Sequence, residues 1–159
     1  LLINRCMRLS TNFTLQEYTK SQTATRKGLD NTPNDEHLAK AKMLFENVVQ
    51  KVRDNFGVTV INSGYRGPAL NEAVGGSSKS QHCKGEAVDI ECPGTANYDV
   101  CKWIEDNLDF DQLILEFYTP GIPDSGWVHV SYKSEGNRKS ILTAMKENGK
   151  TVYKPGLIQ

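Results

Sequence analysis

The feature that most constrains this chain is the segment between Pro33 and Gly57, where Leu38, Ala41, Phe45, Val48, Val52 and Phe56 recur at steps of three or four residues. That spacing lays one apolar stripe along a helix, and such a helix must bury its stripe against another layer of structure. Thr32 and Pro33 supply an N-cap and a proline at the first helical position, and Gly57 ends the element. The other apolar segments are mostly too short for helices. Residues 58–61 (VTVI), 87–92 (AVDIEC), 113–117 (LILEF) and 127–132 (WVHVSY) read as strands, the last two as a pair joined by the loop 118–126. Residues 140–145 form a further segment, and 146–150, with its ENGK, a turn into a short terminal strand. Residues 98–108 form a second helix, with Val100, Trp103, Ile104 and Leu108 on one face. A short helical patch covers 14–20, a polar link covers 21–32, and 65–81 is mostly loop with one helical turn at 68–74. Helices and strands do not alternate regularly, so the expected class is α+β: a single domain with a mainly antiparallel sheet flanked by helices. At 159 residues there is room for one core.

Charge removes several function classes. Nineteen basic residues balance nineteen acidic ones, which leaves no net field to draw the chain onto nucleic acid or an anionic membrane. No stretch reaches the roughly 18 apolar residues of a membrane span, and the N-terminus lacks the apolar core of a secretory signal. The expected product is made in the cytoplasm and is a monomer, since no heptad or apolar surface stripe demands a partner. Residues 1–6 (LLINRC) precede Met7, a candidate internal start; they are set aside as a non-native or upstream segment, leaving 7–159 as the domain. The four cysteines, Cys6, Cys83, Cys92 and Cys101, form no C-x-x-C pair and read as reduced thiols.

Two of the three histidines keep unusual company. His82 lies seven residues before Asp89, and His129 lies in WVHVS, flanked by valines. On a strand, Asp89 faces away from Val88 and Ile90, and His129 faces away from Val128 and Val130. A carboxylate directed into a folded domain needs a partner. A catalytic zinc site needs three converging nitrogen or oxygen ligands and one position for water, and His82, Asp89 and His129 form a candidate set. Taken singly, each reads equally well as a hydrogen-bonded core histidine or a turn aspartate. His37, in a helix amid charges, reads as solvated surface.

The segment SQHCKGEAVD, residues 80–89, resembles the S-x-H-x-x-G-x-A-x-D signature of the zinc D-Ala-D-Ala carboxypeptidase family, whose fold is shared with hedgehog signalling domains. Ser63-Gly64-Tyr65-Arg66 with Asn71 is similar to that family's S-x-Y-R block, and Trp127-Val128-His129-Val130-Ser131 to its W-x-H-x-S block. Segments such as NFTLQEY and FDQLILEF resemble phage-encoded endolysin peptidases, so the similarity runs from Met7 through nearly the whole chain. The resemblance implies a hedgehog/DD-peptidase-like fold and one Zn2+ ion held by His82, Asp89 and His129. It implies a peptidoglycan stem peptide as substrate, met at the bacterial cell wall by a phage lysin or particle hydrolase.

Zinc lowers the pKa of bound water to about 7 and polarises a carbonyl, but hydrolysis also needs a carboxylate to move the proton. Many family members carry a glutamate three residues before the last histidine; here that residue is Gly126. The candidates are, in order, Glu116 at the end of an apolar run, Glu91 on the side of its strand shared with Asp89, and Asp124 in the loop. Arg66 is expected to clamp a substrate carboxylate or the developing oxyanion, and Ser80 to hydrogen-bond substrate or orient a ligand. Trp127, Tyr65 and Tyr132 are candidate cleft walls, residues 75–78 a flexible rim, and the loop 118–126 a closing element. The competing readings are a zinc-holding wall-binding module without hydrolysis and a zinc peptidase for non-wall peptides. Whether cleavage is exo- or endopeptidic, D-Ala-D-Ala or L-Ala-D-Glu, stays open at this level.

Overall fold

A computed structural model describes residues 7–159, and the expectation for residues 1–6 lies outside them. The described chain opens with a hairpin of β1 (Arg8–Ser10) and β2 (Phe13–Thr14), strands too short for any periodicity to announce them. Thr14 caps α1 (Leu15–Thr19): its hydroxyl accepts from the Glu17 N–H, and the Glu17 carboxylate accepts from the Thr14 N–H. The expected polar link 21–32 instead contains α2 (Gln22–Lys27). Ser21 caps its start, Gly28 closes its end with a φ of 65°, and Ala24 alone is buried. A helix made by its caps carries no stripe to read.

The long apolar stripe folds as α3 (Asp35–Leu44), a π-helical turn (Phe45–Val49) and α4 (Gln50–Phe56). Its cap is Asn34, not Thr32. The Asn34 side chain accepts from the His37 N–H, and Asp35 and Glu36 then occupy the first turn, where the helix dipole favours acids. The π turn adds a residue to the repeat, and the adjacent Val48 and Val49 are both fully buried.

Next come β3 (Val60–Ser63), α5 (Pro68–Ala73), a 3-10 turn (Gln81–Lys84), β4 (Ala87–Glu91) and α6 (Asn97–Asn107). The chain ends with β5 (Gln112–Glu116), β6 (Trp127–Ser131), β7 (Ser140–Glu147) and β8 (Lys150–Pro155). β3 begins two residues later than residues 58–61 predict, because pairing with β4 starts at Val60 opposite Glu91 and leaves Val58 exposed. The six strands lie in the order β3-β4-β6-β5-β7-β8, antiparallel except for the parallel β5–β7 pair. β5 and β6 form the strand pair expected across the loop 118–126.

Register sorts the side chains into two faces. Val88, Val130 and Leu113 make one row and Ile90, Val128 and Leu115 the next, all fully buried in one cluster with Val48, Val49, Val52, Val100 and Ile104. Burying each such side chain contributes about 1.5–3 kcal/mol, so this face fixes the register. A slip of one residue would send Asp89 and His129 into that core. On the opposite face Asp89, His129 and Ile114 stand in one row, with Glu116 beside Trp127 in the next. Cys92 and Cys101 are buried and Cys83 is half-buried, and all three are free thiols.

Candidate metal centre

His82 arrives from the 3-10 turn, whose N-cap Ser80 accepts from the His82 N–H at 3.2 Å. It is 4% exposed, and its Nδ1 lies 2.8 Å from the Gly64 carbonyl oxygen. Position 64 has to be glycine: a Cβ there would run into the backbone carbonyl of Tyr18. A carbonyl oxygen only accepts, so His82 keeps its hydrogen on Nδ1, and in the neutral ring Nε2 carries a lone pair. That Nε2 lies 3.4 Å from Asp89 Oδ1, and His129 Nδ1 lies 2.9 Å from the same oxygen. Asp89 and His129 face each other across the β4–β6 ladder, which sets this approach.

One donor atom from each of the three residues lies within 4.8 Å of the others. A tetrahedral ion with bonds of 2.0–2.1 Å holds its ligand atoms about 3.3 Å apart, close to the His82–Asp89 separation. A lone pair and a carboxylate oxygen this close repel each other unless a proton or a cation lies between them. Burial disfavours the Asp89 charge, but the hydrogen bond from His129 and the fields of the two imidazoles outweigh it and hold the carboxyl well below the usual carboxylate range. Two imidazoles and an ionised carboxylate make a donor set suited to zinc.

The three residues line a cavity of about 650 Å³ together with Arg66, Ser80 and Glu116. Burial and then the Asp89 charge raise the Glu116 pKa, with His129 opposing. Trp127 sits opposite Glu116 in the β5–β6 register, and its buried Nε1 has no hydrogen-bond partner among the described residues. Gly126 has a φ of 66°, and a Cβ there would meet the backbone carbonyl of Glu116. A glutamate at this position is therefore excluded by backbone geometry. Arg66 donates from Nη2 to the Ser80 hydroxyl at 3.2 Å, and its buried Nε has no partner among the described residues.

Other sequence candidates stand elsewhere. The Glu91 carboxylate is occupied, accepting from Asn62 at 2.7 Å and Asn97 at 3.0 Å, and Asp124 is exposed in its loop. Neither lines the cavity, and neither do Trp127, Tyr65 or Tyr132. Tyr65 is 4% exposed, and its hydroxyl lies 2.9 Å from His37 Nδ1. His37 is thus half-buried and hydrogen-bonded, not solvated surface. The loop 118–126 folds on itself through a Thr119–Ile122 bridge and the Ser125 hydroxyl, and is absent from the cavity wall. Residues 75–78 are not a loose rim either, because the Asn71 side chain donates to the Gly76 and Ser77 carbonyls.

The wall that sequence reasoning missed comes from Lys84, Lys133, Arg138 and Tyr153. Beneath it lies Asp111, fully buried, accepting from the Gln81 side chain at 3.1 Å and from Arg138 at 2.8 Å. The sequence held only a weak signal for this, an acidic residue at the start of an apolar strand.

No curated protein matches the sequence. The family model for peptidase M15 matches residues 11–131, a span holding His82, Asp89, His129, Arg66, Ser80 and Glu116. The match covers well over half of the chain, and the α+β fold agrees with it: the chain belongs to the peptidase M15 family, zinc metallopeptidases of the D-Ala-D-Ala carboxypeptidase type.

Proposed function

We propose that the chain hydrolyses a peptide bond in peptidoglycan stem peptides, with one Zn2+ ion held by His82, Asp89 and His129. The single observation that carries this reading is the convergence of those donors, with His82 held on Nδ1 so that Nε2 faces the Asp89 carboxylate. When bound, the ion supplies Lewis acidity, acidifying water and polarising a carbonyl oxygen. The chain's own groups do the rest. Glu116, half-buried and raised in pKa, takes a proton on its carboxylate and returns it to the leaving amine. Arg66 offers the substrate carboxylate or the developing oxyanion a guanidinium whose Nε is unused, with Ser80 beside it.

Membership of the family supports peptidoglycan as the target. The phage-like opening and closing segments support a lysin or particle hydrolase that works as a monomer at the bacterial wall after synthesis in the host cytoplasm. No helix among the described residues is long and apolar enough to cross a membrane. The test is hydrolysis of D-Ala-D-Ala and L-Ala-D-Glu stem peptides with and without a chelator, and by His82→Ala. Both treatments should abolish turnover. Turnover untouched by either overturns the proposal, and zinc binding without any hydrolysis leaves the wall-binding module.

A further inference from the structure

Part of the cavity wall lies beyond the family-matched span, which ends at residue 131. Arg138 is its best-built member. Its Nε donates to Asp111 Oδ1 at 3.1 Å and its Nη2 to Oδ2 at 2.8 Å, while its backbone N–H donates to Oδ1 at 3.1 Å. Asp111 is fully buried, and Gln81, next to His82, donates to the same carboxylate. The guanidinium is thus clamped from below through two of its three nitrogens. Its side chain remains 54% exposed along the cleft, and Nη1 has no partner among the described residues.

A clamped guanidinium loses little further freedom on meeting an anion. Lys133 and Lys84 line the same cavity, and among the described residues neither has a carboxylate within ion-pair distance. In a chain of zero net charge this is a local concentration of unpaired cations. Arg66 follows β3 and Arg138 precedes β7, strands on opposite flanks of the metal-facing β4, β6 and β5. Arg66 suits one substrate carboxylate; on the opposite flank the free Nη1 of Arg138, with unpaired Lys133 in the same wall, suits a second.

We propose that Arg138 and Lys133 form a second carboxylate-binding subsite, so that the cleft selects stem peptides carrying a free acidic side group in addition to the carboxylate met by Arg66. The inference rests on the peptidase reading above, and in stem peptides the group of that chemistry is the α-carboxylate of γ-linked D-glutamate. The probes are the zinc-loaded chain and two labelled peptides, L-Ala-γ-D-Glu-L-Lys-D-Ala-D-Ala and the same peptide with the D-glutamate α-carboxylate amidated. Binding is read by stopped-flow anisotropy before turnover, and hydrolysis is followed separately.

The acid peptide should bind about tenfold more tightly, the scale of one charge-assisted contact. Lys133→Gln should erase most of that preference while leaving affinity for the amidated peptide unchanged. Arg138→Gln alone would strand the buried Asp111 charge, so it is paired with Asp111→Asn, and the double variant should erase the preference as well. Equal affinity of the wild type for both peptides overturns the inference, as does equal weakening of both peptides in the variants. If binding discriminates but neither peptide is cleaved, the subsite stands and the peptidase reading falls.

Discussion

Gly126 makes the location of the proton-transferring carboxylate testable. Replacing it with alanine places a β-carbon against the Glu116 carbonyl in a backbone held at a φ of 66°. The left-handed conformation costs a non-glycine residue about 1–2 kcal/mol, and forcing an extra carbon into a packed ladder costs about 1–3 kcal/mol more. The expected destabilisation is about 2–5 kcal/mol, within what a domain of this size can lose and still fold. The relief available is a separation of β5 from β6, which carries Glu116 away from His129. A displacement near 1 Å at a reacting group costs about 100-fold in rate. Urea unfolding and zinc-loaded turnover of a stem peptide measure the two effects. The companion variant Gly126→Glu in a Glu116→Gln background restores the motif seen in other family members, yet should stay inactive because position 126 cannot present its side chain. A Gly126→Ala variant within about 0.5 kcal/mol of wild type and fully active would refute this reasoning.

Further outcomes follow from the same geometry. Glu116→Gln should lower kcat about 100- to 10,000-fold with zinc content intact. Because its pKa is raised, the wild-type rate should climb as pH rises through a value above the ordinary glutamate range, and the variant's residual rate should lack that limb. Arg138→Ala should cost about 2 kcal/mol at neutral pH, below the usual range for a broken buried pair because Arg138 is half-exposed. Burial opposes the Asp111 charge, but the hydrogen bonds from Arg138 prevail and hold its carboxyl low. The contribution is therefore present above the unfolded value, near 3.9, and fades as pH falls through the lower folded value. Chemical denaturation of both proteins between pH 7 and 3 measures it.

The parts of the fold legible from sequence were those with one dry face. β4, β5 and β6 alternate between core and cleft, so the pattern that buries Val88, Ile90, Val128 and Val130 also sends Asp89 and His129 to a common side. α6 was legible for the same reason. α2 was not, because its ends are fixed by Ser21 and Gly28 and it buries one alanine. The helix cap lies two residues beyond the Thr32 that the sequence suggests, since Thr32-Pro33 and Asn34 both carry capping chemistry and the choice depends on which side chain reaches the His37 N–H. In the site, the ligand candidates could be read, but Glu91 could be separated from Glu116 only through its partners Asn62 and Asn97, which lie apart from it in sequence. The Arg138 wall stayed hidden because it forms by closure of β7 against β5 and by a carboxylate buried beneath both. The resemblance motifs end at Ser131 and do not reach it.

The most direct test of the central claim is the zinc stoichiometry of the purified chain and of its His82→Ala variant, with folding checked by circular dichroism. The account predicts one tightly held zinc per wild-type chain and loss of that ion from a folded variant. A folded His82→Ala chain that keeps its zinc as tightly as wild type would contradict it.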